Sequence, residues 1–180
     1  MRRLISIFST LLLLGLAAGV ASATVHTLPN SSETTTLTAN VSEQCDITVP
    51  AGVTFNVTDI ASSTPASAAT VTITNIVLAT ATKQLKVSIQ ASAASFTPSV
   101  GGAVTWDAAN VSWNAATWAN GTGVVGTLSS GGYNEVATAA ADAATTSTAN
   151  LVFTLAAKPT VKRSGNHTLV VTWQVESIGT

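Results

Sequence analysis

Lys83-Gln84-Leu85-Lys86-Val87-Ser88-Ile89-Gln90-Ala91 alternates apolar and polar side chains. Period two marks a strand with one buried face, because successive side chains of an extended backbone point to opposite sides of a sheet. Leu85, Val87, Ile89 and Ala91 are therefore expected inward, with Gln84, Lys86, Ser88 and Gln90 outward. A second strand is expected from Thr70 to Leu78, and the short link Ala79 to Thr82 predicts a β-hairpin between the two. The longest alternation runs from Leu37 to Val57, with Leu37, Ala39, Val41, Cys45, Ile47, Val49, Val53, Phe55 and Val57 all on odd positions. Pro50 and Gly52 divide that run into two strands or one bent strand.

The middle of the chain is less regular. Phe96-Thr97-Pro98 and Gly101-Gly102 predict a turn, and Val104 to Trp106 and Asn110 to Trp113 predict short strands. Val136 to Thr148 is rich in alanine, but its threonines and missing apolar stripe favour a strand plus loop over a helix. Leu151, Phe153 and Leu155 form one strand face and Leu169, Val171, Trp173 and Val175 another; joined through a basic loop, they predict a last hairpin. Seven to nine short strands without an amphipathic helix predict an all-β fold, an antiparallel immunoglobulin-like β-sandwich, with a jelly roll as the alternative.

The N-terminus reads differently. Met1-Arg2-Arg3, an apolar run from Leu4 to Val20 and the exit Ala21-Ser22-Ala23 have the order of a secretory signal peptide. The alternative, an uncleaved anchor, is disfavoured by the polar rather than basic flank after Ala23. The expected organisation is a cleaved signal peptide at 1–23, a flexible Thr-rich arm at 24–39 and one β-sandwich domain at 40–180. Cleavage leaves five basic against eight acidic residues, a formal charge of −3. With 8% charged residues the chain has no basic groove for nucleic acid, and with 46% hydrophobic residues it is not expected to be disordered. Cys45 is the only cysteine, so no intramolecular disulfide forms; in an alternating strand it is expected to point inward.

Motifs for catalysis are missing from the sequence. His26 lies just past the expected cleavage site and His167 beside a turn, so neither is placed as a catalytic base. Asp46, Asp59, Asp107 and Asp142 are isolated, which gives no metal loop and no paired-carboxylate motif. No enzyme activity, cofactor or metal is expected. Trp106, Trp113 and Trp118 crowd an Asn-rich segment. They are either core residues or a stacking platform for sugar rings, with Asn110, Asn114 or Asn120 bonding hydroxyls. Six Asn-x-Ser/Thr triplets, at Asn30, Asn40, Asn56, Asn110, Asn120 and Asn166, are candidate glycosylation sites.

The closing stretch from Asn166 to Ser177, with Trp173-Gln174-Val175 at its centre, resembles the last strand of Trp-x-Leu cell-surface proteins, although the third residue of that tripeptide is Val here. A signal peptide, a Thr-rich arm and a Thr/Ala-rich sandwich together resemble fimbrial subunits, without the disulfide common in those proteins. The resemblance implies a non-enzymatic structural subunit of an extracellular filament or surface layer, with Leu28 and Leu37 as candidate donor-strand side chains. Self-association or binding to other surface proteins is then expected, and no membrane attachment after cleavage. The alternative function is a secreted carbohydrate-binding or adhesive module using the tryptophans. Mass spectrometry of the exported protein is expected to find Thr24 at its N-terminus; a product retaining a peptide from Leu4 to Val20 would refute cleavage.

Overall fold

The computed structural model describes residues 25, 32–115, 117–118, 121–139 and 146–179. The expected leader, Thr24, His26, Leu28, Asn30, Asn120 and Asp142 lie outside the described residues. The chain divides into two units, Met1–Ala39 and Asn40–Thr180. In the first, residues 32–39 belong to no strand and are exposed, Leu37 by 91%.

The second unit is all-β. Its strands are β1 (Gln44–Thr48), β2 (Thr64–Pro65), β3 (Ala69–Val77), β4 (Gln84–Ala91), β5 (Val111–Trp113), β6 (Thr117–Trp118), β7 (Gly121–Gly123), β8 (Gly126–Thr127), β9 (Asn134–Ala139), β10 (Thr146–Leu151), β11 (Phe153–Leu155) and β12 (Val171–Ile178). Among the described residues they form three antiparallel sheets, ordered β1-β3-β10, β2-β11-β5-β8 and β12-β4-β9-β7-β6. β2 runs into β3 and β10 into β11 across short breaks, and the Ala66 N–H donates to the Phe153 carbonyl at 2.8 Å beside them. The first two sheets thus continue one another, and the third supplies the other face of a sandwich-like arrangement with one apolar core. No helix among the described residues is long and apolar enough to cross a membrane.

β4 lies inside its sheet for the reason its sequence gives. Leu85, Val87, Ile89 and Ala91 are buried, and β12 sets Val171, Trp173 and Val175 opposite Ala91, Ile89 and Val87. Such cross-strand apolar pairs on one face are the unit of sheet stabilisation. Ser88, expected outward, is buried as well, at a bulge against β9.

Pairing departs from the expected hairpins. β3 pairs with β1 and β10, whereas β4 pairs with β12 and β9, so the link 78–83 passes between sheets. β11 pairs with β2 and β5 rather than with β12. Alternation identifies the buried face of a strand but not its neighbour, and a short link serves a crossing as well as a turn. Residues 104–106 form no strand, although the Trp106 carbonyl accepts from the Phe96 N–H at 2.8 Å. The Leu37–Val57 alternation yields only β1, and much of its apolar face is uncovered: Val41 is 74% exposed, and Ile47 and Val53 are also open. Cys45, Val49, Phe55 and Val57 do pack against the core.

One side of the sandwich is closed by strands that change sheets. β5 lies in one sheet and β6 in the other, and the return path from β7 to β8 crosses back. Trp113 fills this corner at 2% exposure; its indole N–H donates to the Val124 carbonyl at 2.8 Å and its ring meets Phe153 edge-on. Gly126 lies against the ring so closely that an added Cβ would overlap it.

Glu43 fastens one end of the unit. Its carboxylate accepts from the Ala79 N–H at 2.8 Å, from Lys83 Nζ at 3.3 Å and from Ser177 Oγ at 3.2 Å, joining the approach to β1, the link after β3 and the end of β12. The Ala79 N–H, followed by Lys83, holds this carboxyl below the usual carboxylate range. A depressed folded-state pKa stabilises the fold above the unfolded value, and that contribution is lost as pH falls through the folded value. Glu43→Gln keeps an acceptor and removes the charge, so its melting temperature is expected to lie below wild type at neutral pH, with the gap narrowing in acid. A gap independent of pH would mean that the charge contributes nothing. Trp113→Ala is expected to cost about 3–5 kcal/mol in denaturant unfolding, as for truncation of a buried Trp. Gly126→Ala is also expected to destabilise; wild-type stability in both variants would contradict the packing of this corner.

Candidate functional site

Beside β12 the two layers stand apart. β12 ends the order of its sheet, and residues 49–60 pass nearby in no strand. Between them opens a cleft of about 1290 Å³. Phe55, Val57 and Ile60 line it from the 49–60 segment, Phe153 and Leu155 from β11, and Val171 and Trp173 from β12. Phe96, Trp106, Val161 and Leu169 add apolar surface from the connecting loops.

The frame of the cleft is polar and well bonded. The Lys158 N–H donates to the Ile60 carbonyl at 2.8 Å, which holds the far end of the 49–60 segment. Lys158 Nζ donates to Asp107 Oδ2 at 2.7 Å and Ser95 Oγ to Asp107 Oδ1 at 2.8 Å; Lys158 first and Ser95 second hold that carboxyl below its ordinary range. At the opposite rim, Ser99 Oγ donates to the Ser164 carbonyl at 2.6 Å. Gly165 sits at φ +110°, a region that favours glycine, and this turn carries Lys162, Arg163 and His167 along the cleft. His167 is anchored rather than free: Nδ1 shares a hydrogen bond with Thr105 Oγ1 at 2.7 Å, Nε2 lies 3.2 Å from the Arg163 carbonyl, and the ring stands edge-on to Trp106.

The three tryptophans do not form an exposed platform. Trp106, Trp113 and Trp118 are only 5%, 2% and 4% exposed, because a core short of aromatic side chains uses these rings as filling. The Trp106 indole N–H donates to the Ala156 carbonyl at 2.9 Å, while that of Trp118 has no partner among the described residues. Of the three, Trp106 alone borders the cleft. The asparagines offered for sugar hydroxyls are engaged in the fold, Asn110 Oδ1 accepting from the Asp107 N–H and Asn114 Oδ1 from the Val152 N–H. Among the triplet asparagines, Asn40, Asn56 and Asn166 are exposed and Asn110 is half-buried. Cys45 is half-buried, and burial followed by the nearby Asp46 pushes its thiol pKa up, away from a reactive thiolate.

Sequence reasoning missed the cleft because its walls come from seven separate stretches. Two signals were present: the Phe55 and Val57 alternation, and the clustering of cations after Ala157. No protein family, curated protein or solved structure matches the chain.

Proposed function

We infer that the protein is a non-enzymatic, secreted structural subunit of an extracellular filament or surface layer, whose copies join by strand donation. The observation that carries this reading is the seam itself: the edge of β12 lies at the end of its sheet, beside an apolar cleft and the segment 49–60, which belongs to no strand. An exposed edge is a template for a further strand, and such a strand gains main-chain hydrogen bonds along its length while its alternate side chains enter pockets.

Strand order supports the immunoglobulin-like version of this reading. In that fold one sheet reads A-B-E-D and the other C-F-G. With β1 as A, β2 and β3 as B, β10 and β11 as E, and β5 as D, the first layer is filled in order. β4 then stands as C and β12 as F, and the place of G, beyond β12, is empty. The extra strands β9, β7 and β6 extend the sheet on the other side of β4. A donor needs apolar side chains at every second position on an open segment. Leu37, Ala39 and Val41 have that spacing and all are exposed. The carbohydrate-module reading loses its support with the burial of the tryptophans.

Deleting residues 24–39 is expected to leave folded subunits that form no filaments in negative-stain electron microscopy, whereas the mature protein assembles. Leu37→Asp with Val41→Asp in the full-length chain is expected to do the same without shortening the arm. Unchanged assembly in either variant would rule out this donor, and a mature protein that never assembles would rule out the subunit reading.

A further inference from the structure

Charge on the cleft is distributed unevenly. Of the five cations left after cleavage, Lys83, Lys86 and Lys158 are paired with Glu43, Glu176 and Asp107. The other two, Lys162 and Arg163, make no ion pair among the described residues, and both line the cleft. Among the described residues the lining contains no acidic side chain. Among the described residues Lys162 Nζ donates to the Pro159 carbonyl, at 2.9 Å. An apolar trough with unpaired cations at one rim has the polarity of an amphiphile binding site, tail against aromatic and aliphatic walls and anionic head at the rim. Its volume exceeds the roughly 300–1,000 Å³ of common small-molecule pockets. A charge-assisted hydrogen bond to a carboxylate is stronger there than in open water, because the cations border low-dielectric walls.

We propose that the cleft of the unassembled subunit binds a medium-chain fatty-acid carboxylate, its tail along Phe55, Phe153, Val171 and Trp173 and its head at Lys162 and Arg163. Binding itself is independent of the filament reading. Its consequence rests on that reading: an occupied cleft cannot receive a donated strand, so the fatty acid acts as a competitor of assembly.

The test uses the full mature protein, diluted until native mass spectrometry shows monomer, and laurate below its micelle concentration. Trp106 and Trp173 line the cleft, so tryptophan fluorescence is expected to change saturably, with one laurate per chain by mass. Dodecyltrimethylammonium, with a tail of the same length and the opposite head charge, is expected to bind at least about ten-fold more weakly. Lys162→Ala with Arg163→Ala, both at the exposed rim, is expected to weaken laurate by about ten-fold or more while leaving the melting temperature unchanged. Absent or non-saturable laurate binding, equal binding of the two amphiphiles, or an unaffected double variant would each overturn the proposal. Filaments without laurate binding would overturn it and leave the strand reading standing. Laurate binding at one per chain, in a protein that never forms filaments, would uphold the site and overturn its role in assembly.

Discussion

Trp113 sets the constraint on which the sandwich depends. Two strands must change layers at its position, and a change of layer interrupts the ladders that would otherwise pair the backbone. The ring compensates by filling the corner, and its indole N–H satisfies the Val124 carbonyl in the stretch between β7 and β8, where that strand leaves one sheet for the other. The buried indole N–H left without an acceptor would cost about 1–3 kcal/mol, so this hydrogen bond adds polar satisfaction to the packing of the ring. Gly126 follows from the same geometry, since a side chain there would occupy the space of the ring. Packing at this corner has to be close because Cys45, as a lone cysteine, cannot form a staple within the chain.

The layers are joined through β5 to β8, where strands change sheets, while β12 ends its sheet. Beside β12 lies the cleft, framed by Asp107, Lys158 and the Ser99–Ser164 hydrogen bond. Glu43 draws the approach to β1 toward the end of β12 through Ser177. The corner and the cleft share part of one core, since Val111 of β5 and Phe153, which meets the Trp113 ring, also line the cleft. Substitutions at Trp113 and at the Lys162–Arg163 rim act on different properties because the ring is buried and the two cations are exposed.

The sequence was most legible where one residue's neighbours decide its environment. Period two placed Leu85, Val87 and Ile89 inside, and the inward register of Leu169, Val171, Trp173 and Val175 agrees with their packing on the core. Partner choice was illegible, since both predicted hairpins depend on which distant segment buries the face, and β10 and β12 were available to do so. The tryptophans were open to two readings because nothing in an aromatic residue's immediate sequence tells a packed ring from an exposed one. The cleft was the least legible feature, as it is enclosed by segments more than a hundred residues apart, from Phe55 to Trp173.

The uncovered apolar positions Leu37, Val41, Ile47 and Val53 bear most directly on what the open seam does. Proteins protect sheet edges with charges, prolines and bulges, and an unprotected edge associates with other chains. This chain has few charges to use: 8% of residues, against about 25% in ordinary domains. Pro50 and the irregular pairing around Asp46 interrupt the first edge, but Leu37 and Val41 stand before both. An alternating apolar segment with low charge is costly to leave in water and suited to a trough with apolar walls. The proposed donated strand and the proposed fatty acid answer the same physical problem, and the rim cations favour the second. A carboxylate head satisfies Lys162 and Arg163 where its own tail enters the cleft, whereas Leu37, Ala39 and Val41 bring no charge and the carboxylate of the arm, Glu33, stands four residues before Leu37, so the rim rather than the walls distinguishes the two occupants.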